Sequence, residues 1–313
     1  MLNRRLVRIK VFQTLYSFTQ DEQANRNFYE KQLLKSLAGI FDVYYFVLAF
    51  PSFLKHVASL ELETEQAKHF PSDEEIKLHQ SIVQNSFIGL LENNSTWQER
   101  TKKCPYKWEN HMDIIRNLFI ELKKDEHFRS YALASEKKPA DQRKIIQSLL
   151  NDLADKNELF NFQLEETHLN WQDDKEVVMN AVNKSLRQVK DTGSDFLYLP
   201  DSETTELEEM ARDLYGKVLL HDTELNSLIE EKTKNWDVER IAVTDTILLK
   251  MALCEILYFP SIPVKVTINE YLEIAKLYST PNSKNFINGI LDAIQKELKA
   301  SNKVVKEGRG LIE

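Results

Sequence analysis

Glycine and proline are scarce in this chain, with 7 and 8 copies among 313 residues, against the usual ~7% and ~5%. Sheets joined by tight turns depend on both residues, so the shortage argues against a strand-rich architecture and for an all-α protein. Cysteine is scarcer still. Cys104 and Cys254 are far apart and form no C-x-x-C pair, which reads as two buried, reduced thiols rather than a disulfide framework or a thiolate metal site. Apolar runs of about 18 residues or more are missing, so no membrane span is indicated. The first residues also lack the apolar run and small-residue cleavage site of a secretory signal. A cytoplasmic protein is expected.

Catalytic signatures are missing too. Seven histidines, at 56, 69, 79, 111, 127, 168 and 221, are scattered without an H-E-x-x-H motif. One Glu-x-x-His occurs, Glu165 to His168, whereas a di-iron bundle needs two with further inward carboxylates. These side chains therefore read as solvated. Neither G-x-x-x-x-G-K-[ST] nor G-x-G-x-x-G is present. The chain is expected to bind rather than to catalyse, with no metal and no cofactor.

What the chain does have is an uneven distribution of charge. The formal net charge is −8, which taken alone argues against a polyanionic partner. Residues 1–20, however, carry Arg4, Arg5, Arg8 and Lys10 and no acid, and residues 280–310 carry Lys284, Lys296, Lys299, Lys303, Lys306 and Arg309 against three acids. Residues 21–195 are net −6, with 23 basic and 29 acidic side chains. A local patch, not the global sum, sets the field that a polyanion meets.

Residues 3–20 read as one helix, with Val11, Phe12, Leu15 and Phe18 on one face and Lys10, Gln13 and Ser17 opposite. Arg4, Arg5 and Arg8 project on roughly the side that becomes apolar two turns later. Guanidiniums are costly in a core, so this end is expected to overhang the bundle. Between 21 and 195 the rhythm is helical. Leu33, Leu34, Leu37, Ile40 and Phe41, then Tyr44, Tyr45 and Leu48, mark a packed helix, and Pro51, Pro71, Pro105 and Pro139 punctuate the region, with Pro200 just beyond. Glu-x-Thr recurs at 99, 165 and 231, each time followed by a tryptophan (Trp108, Trp171, Trp236). Apolar pairs then follow at Ile114-Ile115, Val177-Val178 and Ala242-Val243, with Asn or Asp nine residues after each Trp. A duplicated helix pair and unrelated helices with similar anchors both fit this spacing.

The last third is clearer. Asp237 is a candidate N-cap and Trp236 a staple against Ile241, opening a helix that runs to about Tyr258 and stops before Phe259-Pro260-Ser261-Ile262-Pro263. Thr267 and Glu270 have capping-box spacing before Tyr271, Ile274, Ala275 and Tyr278. Thr280-Pro281-Asn282-Ser283 breaks the chain, and a final helix runs to about Ala300. A helix N-terminus attracts phosphate. Lys284, Asn285 and Asn288 share a face there, and the arginines near residue 4 add bidentate donors. The Gly308-Arg309-Gly310 tail reads as a flexible end.

Three stretches carry a family resemblance. Val264-Lys265-Val266-Thr267-Ile268-Asn269-Glu270-Tyr271-Leu272-Glu273-Ile274-Ala275-Lys276 and Ser283-Lys284-Asn285-Phe286-Ile287-Asn288-Gly289-Ile290-Leu291-Asp292 resemble the closing helices of the bacterial NusB family, and the likeness continues upstream through Trp236 to Glu255. Arg4-Arg5-Leu6-Val7-Arg8 through Gln13-Thr14-Leu15-Tyr16 resembles its Arg-rich first helix. The resemblance implies a NusB-like helical bundle formed by both chain ends. Its expected parts are residues 1–20 as first helix, 21–195 as a large inserted helical region, 196–300 as the core and 301–313 as a basic tail.

The resemblance further implies a transcription antitermination factor that binds boxA-type single-stranded RNA with the small-subunit ribosomal protein acting as NusE. Other Nus factors and RNA polymerase would be reached indirectly. RNA contact is carried over to Arg4, Arg5, Arg8, Lys284, Asn285, Phe286 and Asn288. Phe286 and Asn288 also read as core packing and a helix-to-helix hydrogen bond. The sequence departs from the family at Ile9, at Thr246 and Lys250 and at Asn282, which puts the extent of the RNA surface in question. Two alternatives stay open: a helical protein-binding scaffold without RNA activity, and an RNA-binding accessory to a ribosomal RNA methyltransferase.

Overall fold

The computed structural model describes residues 2–188, 196–197, 202–233 and 241–308. Among them there is no strand. The helices are α1 (Arg4–Gln20), α2 (Arg26–Gln66), α3 (Asp73–Val83), α4 (Ser86–Glu92), α5 (Ser95–Lys103), α6 (Met112–Lys124), α7 (Glu126–Leu133), α8 (Pro139–Lys156), α9 (Glu158–Thr167), α10 (Trp171–Gln188), α11 (Ser202–Leu220), α12 (Asp222–Thr233), α13 (Val243–Tyr258), α14 (Val264–Tyr278) and α15 (Ser283–Ala300). The candidate cap Asp237, its partner Trp236, and Pro200, Arg309 and Gly310 lie outside the described residues. The chain divides into two compact units, one of residues 38–199 and one that joins residues 2–37 to 200–313.

In the unit built from both chain ends, α13 is central and packs against α1, α11, α12, α14 and α15. Its sequence explains the position: Ile247 to Leu249 and Met251 to Ile256 are buried on every side of the helix, the mark of a core helix rather than an amphipathic one. Helix α1 begins at Asn3, whose side chain accepts from the Leu6 N–H at 2.8 Å, an N-cap that satisfies one of the unpaired donors of the first turn. It packs against α11 and α13, and Phe12 meets the Tyr278 ring at 5.4 Å.

Two expectations for α1 are corrected. Arg8 does not overhang and Lys10 does not face solvent; they are 2% and 1% exposed. Leu6, Val7, Ile9, Val11, Phe12 and Leu15 cover more than one face of the helix, so its middle is enclosed all round and takes the two cations in with it. Tyr16, by contrast, is 41% exposed, since the last turns emerge from the bundle.

Unit 38–199 takes most of α2. This helix is apolar and long enough to cross a membrane by length and composition, and 72% of its most apolar window is buried within the protein. It continues through Pro51, which does not break it as the punctuation suggests. The indole of Trp108 donates to the Phe46 carbonyl at 2.7 Å and stacks on Phe46 and Phe160; the Trp171 indole donates to Asn161 at 2.7 Å. Ile114, Ile115 and Val178 are buried after these two anchors, whereas Val243, the equivalent in the third copy, is exposed. Among the first two copies' Asn residues, Asn117 and Asn180 are exposed, while Asp245 is buried.

His168 is also corrected. It is buried, with Nε2 2.8 Å from the Asp174 carboxylate and Nδ1 3.2 Å from the Tyr106 hydroxyl, so it is a satisfied core histidine and not a solvated one. Both cysteines are buried and unpaired with each other. Burial pushes their thiols up, to about 11 for Cys104 and about 12 for Cys254.

Candidate nucleic-acid interface

The expected binding residues all lie in the unit formed by the chain ends, and they fall into three environments. Arg8 is the buried one. Its Nε and one terminal nitrogen each donate to Glu255 at 2.8 Å, and Glu255 also accepts from the Thr267 hydroxyl at 2.7 Å and the Tyr271 hydroxyl at 3.3 Å. Burial alone would lower the Arg8 pKa, but the hydrogen bonds and charge of Glu255 raise it overall. A charge pair in a core is tolerable only when its remaining hydrogen-bonding capacity is met, and here α14 meets it. Arg8 therefore builds the bundle and is withdrawn from the solvent-facing set. Thr267 does not open α14 as a capping residue. The helix starts three residues earlier, after Pro263, and the Thr267 hydroxyl serves Glu255.

Arg5 is half-exposed and bidentate to Glu270, with Nε–Oε2 2.9 Å and Nη2–Oε1 2.7 Å. That hydrogen bond holds the Glu270 carboxyl below its ordinary value. Arg4 is exposed. Lys284 and Asn285 are exposed in the first turn of α15, while Phe286 and Asn288 are half-buried. Ser283 is buried, its hydroxyl donating to Asp245 at 2.7 Å; Ser279 bonds the same carboxylate. Asp245 of α13 thus ties down the α14–α15 turn and presents Lys284 outward. Glu273, on α14, is held below its ordinary value mainly by its hydrogen bond with Lys276.

Sequence reasoning missed Lys265 and the groove beside it. An open groove of about 680 Å³ is lined by Arg4, Arg5 and Arg8 of α1 and by Ile262, Pro263, Lys265, Val266 and Glu270 in and just before α14. The signal was present in Pro263, since a proline favours a helix start, which places Lys265 in the first turn of α14. The segment before Gly308 is held against the bundle, with the Glu307 N–H donating to the Pro260 carbonyl at 3.0 Å. Its Lys306 donates to the Phe259 carbonyl at 3.0 Å and the Glu255 carbonyl at 3.4 Å, and burial lowers its pKa to about 8. Among the described residues, no group of three or more His, Cys, Asp or Glu side chains is arranged to hold a metal ion.

These features define an all-α bundle closed by both chain ends, with an exposed basic rim on a charge-paired core. The NusB family model matches residues 179–296. Similar proteins include the transcription antitermination protein NusB of Salinibacter ruber, 41% identical over 36% of this chain and 71% of that protein. The NusB proteins of Chloroherpeton thalassium (33%, covering 41% and 70%) and of Geobacter sp. strain M21 (34%, covering 38% and 83%) are similar too. The chain belongs to the NusB family. No solved structure matches it.

Proposed function

We propose that this protein is a transcription antitermination factor that acts in the cytoplasm by binding, not by catalysis. It takes up boxA-type single-stranded RNA together with the small-subunit ribosomal protein that serves as NusE, and reaches other Nus factors and RNA polymerase through that complex. The observation that carries this reading is the exposure of Arg4, Lys284 and Asn285 in one compact unit built from both chain ends. Arg5 has a donor fork suited to phosphate that is engaged by Glu270 in the free protein. Phe286 and Asn288 lie half-buried beside Lys284 and serve the same surface from behind.

The test is an anisotropy titration of a short boxA-like RNA with and without the ribosomal partner. The protein alone should bind weakly and the pair tightly. Arg4→Glu with Lys284→Glu should remove most of the affinity with helix content unchanged, both side chains being exposed. A double variant that binds like the parent at moderate salt overturns the reading. Capture of the ribosomal protein with no RNA affinity would favour the scaffold alternative, and RNA affinity with no gain from that partner the methyltransferase accessory.

A further inference from the structure

We infer that the unit of residues 38–199 holds a small-molecule site, an aromatic cleft at Trp97 that takes a planar aromatic acid bearing a ring hydroxyl or amine. The inference goes beyond the RNA-binding reading and shares no residue with it.

A cleft of about 400 Å³ in this unit is lined by five aromatic residues, Phe46, Phe53, Trp97, Tyr106 and Trp108. Its size falls within the range of small-ligand sites, and aromatic side chains suit the face or edge of a flat ring. A smaller cavity of about 90 Å³ shares Phe46, Tyr106 and Lys107 with it, so the two are neighbours.

Unmet hydrogen bonds define what the ligand must carry. Buried polar groups are almost always paired, and two indoles of this unit obey. Trp108 donates to the Phe46 carbonyl and Trp171 to Asn161, both at 2.7 Å. Trp97 is the exception: its indole nitrogen is buried without a partner among the described residues. Of the residues lining the smaller cavity, His111 has a buried Nδ1 and Gln163 a buried Oε1 with no partner either. An indole N–H only donates and an amide oxygen only accepts. A ligand that completes both supplies an acceptor to Trp97 and an N–H or O–H to Gln163.

Charge makes that acceptor an anion. Lys102 and Lys107 line the cleft against one carboxylate, Glu109. The Lys107 ammonium donates to the Thr101 and Lys102 carbonyls at 3.3 and 3.1 Å, which occupy its donors and carry no charge to offset its own. The local balance attracts a monoanion. A chain of phosphates is disfavoured, since residues 21–195 are net −6.

The test titrates the isotope-labelled full chain with 6-hydroxy-2-naphthoate and follows the indole N–H signals by NMR. Trp97→Phe identifies its signal by deleting it, and Trp171, held by Asn161, reports the fold. The Trp97 signal should move and saturate while the Trp171 signal stays in place. Trp97→Phe should weaken binding about tenfold, the worth of one hydrogen bond to a charged acceptor, as read from the ligand's fluorescence anisotropy. Lys102→Met, at an exposed position, should also weaken it and flatten its salt dependence. An unmoved Trp97 signal, or two variants that bind like the parent, overturns the site. Equal binding of 2-naphthol, of 2-naphthoate or of cyclohexanecarboxylate overturns, in turn, the need for the anion, the ring donor and the aromatic face. Displacement of the acid by the boxA-like RNA makes the cleft an RNA surface and overturns the small-molecule assignment.

Discussion

At the scale of single residues, the bundle is organised around Glu255, which takes Arg8, Thr267 and Tyr271 at once. Breaking a buried pair leaves an uncompensated charge and costs roughly 3–5 kcal/mol, whereas replacing both partners by apolar residues is often neutral. Arg8→Ala should therefore lower the urea midpoint sharply, and Arg8→Met with Glu255→Leu should recover most of the loss. An equal deficit in the double variant would show that the charges themselves are required. Lys306 gives a pH signature. Its pKa is about 8 in the folded protein against 10.5 for an ordinary lysine, so between those values the unfolded chain holds the proton and the native one does not. Stability relative to Lys306→Met should rise as pH goes from about 8 towards 10.5, as read from paired denaturation curves; a flat difference would mean that Lys306 is solvated. Neither role was legible in the sequence. The pattern at Arg8 looks the same whether the arginine overhangs or is enclosed, and its partner lies 247 residues away.

At the scale of elements, legibility follows how local the determining physics is. The C-terminal end of α13 and the start of α15 could be read because Pro260 and Pro281 break the chain there, and α1 from its apolar face. Helix α13, however, begins at Val243 after Ala242, later than a helix opened by Asp237. Asn3→Ala should cost about 1 kcal/mol, measured by the shift of the denaturation midpoint; no shift would assign the start of α1 to packing alone. The start of α14 was misread because Thr267 and Glu270 have capping-box spacing but are recruited by Glu255 and Arg5. Tertiary partners took residues that local rules assign elsewhere. The Pro51 misreading has the same origin. Inside α2 a proline is carried because the surrounding helix, with Val47, Leu48, Phe50 and Leu54 buried, gains enough from packing to keep its course.

For the molecule as a whole, the joining of both chain ends into one unit was implied by the family resemblance, while the groove and its residues were not, since no local pattern brings residues 3–5 to residues 262–266. A net charge of −8 sets the background for any RNA encounter. With Arg8 enclosed, the proposed RNA surface offers Arg4, Arg5 and Lys284 to phosphates, and at about 0.7 per contact the salt slope of the isolated protein should be near −2. A slope steeper than about −4 would mean that other cations take part. The distance in sequence between Arg8 and Glu255 also has a consequence for synthesis. At about 5–20 residues per second, roughly 12–50 s separate the emergence of the arginine from that of its carboxylate. For that interval the first helix has no place to bury its guanidinium, and it remains a nascent segment open to proteases or to a chaperone. Ribosome-stalled chains ending before residue 255 should be cut readily near residues 4–20, and chains extended beyond the last helix should resist.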